Sequence, residues 1–552
     1  MNLLKGSSTF LTLLESEGVT HLFGNPGTTE LPVMDAITRH SELTYVLGMQ
    51  ESLVVAMADG FSRASGKLTA CNVHVAPGLG NAMGAIYNAK FTGTPMIITA
   101  GQQEQGHGLM EPLLYDPLVP IATPLVKWAT EINRLEDMPR IVRRAAKIAT
   151  TPPTGPVFLS LPGDVLNDQK GVELGVSTRV DSAVRPSDER LDNLATRILT
   201  SNSPCMLVGN EVVTSDAFSE ISKFAEVLGA AVFQQTTAYG SHYPSEHVSF
   251  MGALSRNQKE VRSILSDFDL LIVIGADVLR MSVFSEIDPL PDSMPIVQIG
   301  LDDWEIGKNY PAESAIRADV KETLKALIPI IEMKGGTETS LAAQSRLEAI
   351  SKKNWKARRH ERAQAALKNK NTVPIDSNWL MLEISNTLPN EAIVVNEGLT
   401  TTWNLLNFLP FHDRYNFHSF ASGGIGWGLP AAVGVQLAQP KRPVVALIGD
   451  GSAMYSIQAL WTAAKMKLPI TFVIANNRGY RIIKQRLLSF HGNNNFIGMD
   501  FDDPEIDFVG LATSLGIKSE RINSPEQIHE SLVSAVESSH PILLDVIVEN
   551  SV

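Results

Sequence analysis

PVVALIGDGSAMYSIQALWTAAKMKLPITFVIANNRGY, residues 443–480, contains two apolar runs with an amphipathic stretch between them. Residues 444–448 (VVALI) are short and uniformly apolar, as expected of a strand buried on both faces. Gly449-Asp450-Gly451-Ser452 turns the chain out of it. Ile457, Leu460, Trp461 and Ala464 then recur at helical spacing, which predicts a helix over 455–466. Residues 470–475 (ITFVIA) form a second buried strand, left through Asn476-Asn477-Arg478-Gly479. A strand, a crossover helix and a strand in that order lie parallel. Asp450 and Asn477 then emerge at the carboxyl ends of neighbouring strands, where open α/β sheets take their ligands. The expected class is α/β, built of doubly wound, mainly parallel sheets.

A carboxylate and an amide oxygen meeting there, with the carbonyl of Gly479 close by, suit a hard cation. Mg²⁺ is held by one or two carboxylates, neutral oxygens and the oxygens of a bound phosphate; Ca²⁺ is the other ion such a donor set admits. Taken singly, a turn Asp and a loop Asn also serve local hydrogen bonding. It is the pair, at the ends of two adjacent strands, that favours a metal.

Gly449-Asp450-Gly451, 24 intervening residues and then Asn476-Asn477 resemble the cofactor motif of the thiamine-diphosphate-dependent decarboxylase and acetolactate synthase superfamily. The resemblance implies that Asp450, Asn477 and the Gly479 carbonyl hold the metal that clamps the cofactor's diphosphate. Gly449, Gly451, Ser452 and Tyr480 would line the same loop. It also predicts features elsewhere in the chain.

Composition agrees with an enzyme of this kind. At 552 residues the chain exceeds one hydrophobic core and implies about three domains. Hydrophobic residues at 44% and charged ones at 19% describe an ordinary globular protein. A net charge of -13 argues against nucleic acid or an anionic membrane surface as partner. Cys71 and Cys205 are the only cysteines, too few for a disulfide framework or a cysteine zinc site. The sequence starts with no targeting segment and has no run long enough to span a bilayer, so a cytoplasmic location is expected.

From the N-terminus, a short helix is expected over 9–17. Gly24-Asn25-Pro26-Gly27-Thr28 then forces a tight strand-to-helix turn. In the superfamily this turn lies at the active site, with Asn25, Pro26 and Gly27 near the cofactor and Thr28 facing the substrate. A strand over 45–49 leads to Glu51, which heads an apolar helix over 53–62. A lone glutamate there also suits the helix dipole, at about 0.3–1 kcal/mol. Glu51 with Ala58-Asp59-Gly60-Phe61 matches the superfamily's activating glutamate and the helix behind it. The cofactor must lose the C2 proton of its thiazolium to become an ylid nucleophile, and a carboxylate on the aminopyrimidine stabilises the imino tautomer that accepts it. Burial raises a carboxylate's pKa, which suits such proton sharing near neutral pH.

A strand over 69–73 ends at His74, and Asn81-Ala82 are expected to start a helix beneath the pyrimidine. Gly78, Gly80 and Gly84 miss the dinucleotide spacing by one residue. His74 stands where benzoylformate decarboxylases carry an active-site histidine, although a histidine at a strand end also serves structure. Gly101-Gln102-Gln103 and Val126-Lys127-Trp128 resemble the same enzymes. The N-terminal, pyrimidine-binding domain is expected over 1–167, with a polar linker over 166–188.

A middle domain is expected over 188–335, with strands over 204–208 and 270–274 and a helix over 217–228. No GxGxxG follows either strand, so this unit is expected to be scaffold without FAD. Benzoylformate decarboxylases present a second catalytic histidine after the second of these strands. Ser282 occupies that position here and cannot replace an imidazole in proton transfer at neutral pH. Residues 334–374 carry Lys352, Lys353, Lys356, Arg358, Arg359 and Arg362, readable as an anion-docking patch or as a solvated linker helix.

The diphosphate-binding domain is expected over 375–552. A strand over 393–397 leads to Thr400 and Thr401, whose hydroxyls at a helix start would suit diphosphate oxygens. In the loop at 421–430 glycines allow close approach of backbone to ligand. The resemblance gives Gly423 and Gly424 to the cofactor and has Ile425 prop it in its bent form; core packing is the plain reading of Ile425. Ile482 and Arg486 would contact the substrate where relatives are mainly apolar, although a lone Arg486 also reads as solvent-facing.

The resemblance implies nonoxidative decarboxylation of a benzoylformate-like 2-keto acid to an aldehyde and CO2. Glu51, His74, Thr28 and Ser282 would be the catalytic positions. Self-association as a homodimer or homotetramer is implied, with Glu51 of one subunit meeting the diphosphate domain of another. An acetolactate-synthase-like carboligase, joining the enamine to a second carbonyl compound, is the nearest alternative. A silent paralogue acting as a binding subunit is another, against which intact Glu51, Asp450 and Asn477 argue.

Overall fold

Three six-stranded sheets, every strand pair in them parallel, carry the chain in a computed structural model that describes residues 3–552. In space the N-terminal sheet runs Thr44–Leu47, His21–Gly24, Thr69–Val73, Met96–Gln102, Pro156–Pro162, Ala129–Glu131. The C-terminal sheet runs Phe417–Ser419, Ile393–Glu397, Val444–Gly449, Ile470–Asn476, Ile542–Ile547, Lys518–Ile522. Both have the strand order 2-1-3-4-6-5, counted along the chain within each sheet. The middle sheet runs Phe250–Ala253, Ala231–Gln234, Pro204–Val208, Leu270–Ile274, Ile296–Gly300, Ser314–Arg317, the order 3-2-1-4-5-6. Each sets its first strand beside its third or fourth, leaving a crevice at the carboxyl ends of that pair, where the order switches.

The strands pair as their patterns require. Val444 lies opposite Ile470 and Gly449 opposite Ala475, so Asp450 and Asn477 leave adjacent strands at nearly the same level. Side chains of these strands are buried throughout, the reason their sequences read as continuous apolar runs.

The N- and C-terminal domains share one hydrophobic cluster, in which Val54, Met57 and Phe61 join Leu429, Val433 and Leu460. At its centre the helices Glu51–Ser65 and Gly428–Ala438 cross on glycine. A methyl group on Gly60 would overlap the Ala431 carbonyl, and one on Gly434 would overlap that of Met57. Such overpacking costs about 1–3 kcal/mol.

Several local expectations change. The helix after Val444–Gly449 begins at Asp450, not at 455, and comes in two pieces, Asp450–Ser456 and Ala459–Lys465. An acidic first turn suits the helix dipole, and Asp450 itself accepts the Gly451 amide. The first helix is Gly6–Ser16. The helix carrying Asn81 starts at Val75, so Asn81 lies in its second turn. Thr400 and Thr401 occupy a turn rather than a helix start. The expected linker at 166–188 contains Gln169–Gly171, which pairs antiparallel with Leu3–Lys5.

The basic stretch is neither a docking patch nor a free linker. Arg358, Arg359 and Arg362 of the helix Trp355–Leu367 donate to the Met251 carbonyl, the Phe408 carbonyl and Asn407 Oδ1. Trp355 is buried and donates to Leu406. This helix thus ties the middle sheet to the C-terminal domain. Among the described residues no helix is long and apolar enough to cross a membrane.

Candidate active site

In the N-terminal crevice, between His21–Gly24 and Thr69–Val73, two carboxylates dominate. Glu51 is the first residue of its helix and 7% exposed. Asn25 Nδ2 donates to one of its oxygens at 3.3 Å and Asn81 Nδ2 to the other at 3.0 Å. Gly78 lies against its side chain, where a Cβ would come within 3.0 Å of Oε1. Two amide donors hold the carboxylate in one orientation, with further lone pairs free to accept.

His74 ends the strand Thr69–Val73 and is fixed by Glu30, a residue the sequence reading passed over. Glu30 is 1% exposed. Its carboxylate accepts the Gly27 amide at 2.9 Å, the Gly101 amide at 2.7 Å and His74 Nδ1 at 2.8 Å. A carboxylate only accepts, so Nδ1 carries the proton and Nε2 is left as the free lone pair. Gly27 must be glycine here, since a Cβ would overlap the imidazole. The cue in the sequence is Glu three residues after the turn glycine, half of a capping box; the structure forms that half alone, Glu30 taking the Gly27 amide, while the Glu30 amide returns to the Gly27 carbonyl at 3.3 Å. Thr28 is exposed, and the hydroxyl beside His74 is that of Thr29, at 3.3 Å.

The C-terminal crevice, between Ile393–Glu397 and Val444–Gly449, gathers the second group. Asp450 accepts the Gly451 amide at 2.8 Å and the Gly479 amide at 3.1 Å, and Asn477 Oδ1 accepts the latter at 3.1 Å as well. Asn477 Nδ2 donates to Thr401 Oγ1 at 3.2 Å. Burial pushes the Asp450 carboxyl up to about 6, against the pull of those amides. Gly451 packs on the Tyr480 ring, which meets Phe501 edge-on at 4.7 Å. Gly423 and Gly426 take positive φ, 84° and 96°, and Gly423 and Gly424 are exposed with Ile425 half-buried. Glu397, fully buried, accepts the amides of Gly426 and Gly428. Its carboxyl is pushed up to about 7 by burial.

The residues suit a metal-clamped diphosphate. Ser452 Oγ is buried without a hydrogen-bond partner among the described residues, next to Asp450 at the start of a helix. Among the described residues no group of three or more His, Cys, Asp or Glu is placed to hold a metal by itself. The donor set is one carboxylate, one amide oxygen and the Gly479 carbonyl, which needs a ligand's own oxygens to complete it.

Ser282 lies in an exposed loop after Leu270–Ile274. Arg280 anchors that loop, stacking on Phe91 at 4.4 Å and pairing with Asp277 at 2.7 Å. Ile482 and Arg486 stand one turn apart on Arg481–His491. Arg486 is exposed over the Phe490 ring at 5.7 Å. Within the chain, no hydrogen bond joins Glu51, His74 or Asn81 to Asp450, Asn477 or residues 423–425.

Two crevices of like wiring, one built to orient a carboxylate and an imidazole and the other to take a metal and phosphate, define a thiamine pyrophosphate enzyme. Family models agree: the N-terminal TPP binding domain matches residues 4–112, the central domain 191–327 and the C-terminal TPP binding domain 398–546. Benzoylformate decarboxylase of Pseudomonas aeruginosa is 31% identical over 544 residues, 97% of each chain. The acetolactate synthase large subunit of Haemophilus influenzae is 26% identical over 569 residues, covering 100% of this chain and 96% of that one. The solved structure of a thiamine diphosphate-dependent 4-hydroxybenzoylformate decarboxylase from Rhodococcus jostii RHA1 superposes with a TM-score of 0.87 at 29% identity, covering 99% of both. The chain belongs to the thiamine pyrophosphate enzymes, in their decarboxylase and acetolactate synthase family.

Proposed function

We propose that the protein decarboxylates a benzoylformate-like 2-keto acid to an aldehyde and CO2, using thiamine diphosphate and Mg²⁺. The observation that carries this reading is the N-terminal crevice, where Glu51, oriented by two amide donors, and His74, held by Glu30 through Nδ1 with Nε2 left free, both stand at the carboxyl end of one parallel sheet. Thiamine diphosphate supplies the electron sink for loss of CO2 when bound. Asp450, Asn477 and the Gly479 carbonyl would hold the metal, with Ser452 and Thr401 beside the diphosphate. Glu51 would face the aminopyrimidine, to which its carboxylate would offer a hydrogen-bond acceptor. His74 binds the substrate carboxylate and moves a proton through Nε2, with the Thr29 hydroxyl beside the ring and Thr28 on the same turn. Ser282 stands at the outer wall and leaves His74 the only imidazole at these positions, while Ile482 and Arg486 border the substrate's side chain.

The two half-sites of one chain do not meet through hydrogen bonds. The part of the Glu51–Ser65 helix whose glycine crossing meets the C-terminal domain starts at Met57, six residues or about 9 Å beyond Glu51. A second copy supplying the complementary half makes a homodimer the smallest active unit.

The test is CO2 and aldehyde release over a panel of 2-keto acids, with and without thiamine diphosphate and Mg²⁺. Turnover of benzoylformate, lowered roughly 10²–10⁴-fold in Glu51→Gln, is the expected outcome. Acetolactate formed from pyruvate as the main product would overturn the decarboxylase reading in favour of a carboligase.

A further inference from the structure

The glycine loop of the C-terminal domain is gripped at both ends by side chains of the N-terminal domain. Asp59, midway along the Glu51–Ser65 helix, is 0% exposed. One of its oxygens accepts the Trp427 indole N–H at 2.7 Å and Asn88 Nδ2 at 2.9 Å. The other accepts the Thr94 hydroxyl. Asn88, also buried, turns its carbonyl oxygen to the amides of Ala421 at 3.0 Å and Ser422 at 3.2 Å. Both ends of this amide are thus assigned by their partners: NH2 to the carboxylate, oxygen to the loop. One turn beyond Asp59, the half-buried Arg63 places its guanidinium 4.8 Å from the Trp427 ring centre and donates to the Ser419 carbonyl at 2.9 Å.

These contacts seize the loop at 421–422 and again at Trp427. From its own domain, Glu397 takes the amides of Gly426 and Gly428. What remains outside this grip is 423–425, two exposed glycines and a half-buried isoleucine, tied within the loop by the Gly424 amide, which donates to Ser422 Oγ at 3.2 Å. Desolvating a carboxylate and a carboxamide is costly unless every partner is in place. The helix pair does not need them in order to pack, because the glycine crossing and its apolar surround already join the domains.

We propose that Asp59 and Asn88 are positioning residues for the cofactor. By fixing both ends of the loop beforehand, they pre-set 423–425 against the ring, so that little ordering is left to oppose binding. This rests on the reading of Gly423, Gly424 and Ile425 as cofactor contacts.

The experiment is titration of cofactor-free protein with thiamine diphosphate at fixed Mg²⁺, followed by calorimetry, for the parent, Asn88→Ala, Trp427→Phe and Gln439→Ala. Trp427→Phe keeps one aromatic ring in the site while removing the N–H donor together with the rest of the indole, so it reports even where Asn88→Ala fails to fold. Gln439 is the control: it bonds the same helix, at Ala64 O and 2.7 Å, without touching the loop. Dissociation constants raised roughly 10–100-fold in Asn88→Ala and several-fold in Trp427→Phe are expected, with kcat at saturating cofactor within about threefold of the parent. Unchanged affinity in both variants sinks the proposal, and so does equal weakening in Gln439→Ala, which would make the effect one of general domain packing. A parent that binds no thiamine diphosphate removes the cofactor reading itself, a result distinct from either.

Discussion

The middle and C-terminal domains both present a crevice where their strand order reverses, yet they have prepared it in opposite ways. In the middle domain, Glu211 follows Gly209 at the end of Pro204–Val208 and turns its carboxylate into the gap. It accepts the amides of Leu301 at 2.6 Å and Asp302 at 3.2 Å, at the end of Ile296–Gly300. Gly275 packs against its side chain with φ 57°, and Gly300 lies beneath its oxygens. The order 3-2-1-4-5-6 is the one that takes dinucleotides in other proteins, but a phosphate arriving here would meet a carboxylate already bonded to the amides it needs. In the C-terminal crevice Glu397 is turned toward the glycine loop, and the buried Ser452 hydroxyl has no well-formed hydrogen bond among the described residues. Wiring creates the opportunity in each sheet, and the direction of one carboxylate closes it in one case and leaves it open in the other.

Removing a carboxylate from each crevice tests this contrast most severely. Asp450→Ala is expected to abolish thiamine diphosphate binding and turnover, whereas Glu211→Gln leaves both within about twofold of the parent. Coexpression of Asp450→Ala and Glu51→Gln chains should then restore about a quarter of parental activity, since half the dimers would be mixed and each would hold one intact site. Calorimetry and steady-state rates on the separated species give the answer. No restoration in mixed dimers would place both halves of a site in one chain.

What could be read from the sequence divides along the same line. The strands at 69–73, 204–208, 270–274 and 393–397 end where expected, because short runs rich in apolar and β-branched residues, bounded by Gly, Pro or a polar residue, have one reading. Asp450 and Asn477 stand out because their spacing matches a strand–helix–strand unit. Glu30, Asp59, Asn88 and Glu211 escape because, the Gly27 amide on Glu30 aside, their partners are backbone amides and side chains from 29 to 368 residues away. No periodicity encodes such contacts. The helix limits at Asp450 and Val75 were missed because glycine there looks like a break, while each first turn is held by contacts made after folding.

Within the N-terminal crevice a smaller effect separates orientation from chemistry. Glu30→Gln keeps the size of the side chain but sets an NH2 against the Gly27 amide, the Gly101 amide or His74 Nδ1. The imidazole loses its fixed tautomer, and a misplacement on the order of 1 Å costs up to about a hundredfold in rate. A kcat lowered roughly 10–100-fold with thiamine diphosphate affinity unchanged is expected. Weakened cofactor binding would instead assign Glu30 to the other half of the site.

The smallest predicted effect concerns stability, and it probes the closed crevice directly. Burial pushes the Glu211 carboxyl up to about 7 from the ordinary 4.5, more than its two amide donors pull it down. The folded protein therefore holds a proton there between pH 4.5 and 7 that the unfolded chain has released. Stability from this group is complete below the unfolded value and is lost as pH rises through the folded one, about 3 kcal/mol in all. Glu211→Gln has no charge to desolvate but places an NH2 against Leu301 or Asp302, a pH-independent cost of about 1–3 kcal/mol. The difference in apparent melting temperature between variant and parent should accordingly move in the variant's favour from pH 5 to pH 8. A difference that stays constant over that range would mean that Glu211 is ionised throughout, and that the middle crevice is closed by a charge pairing with its amides rather than by a proton.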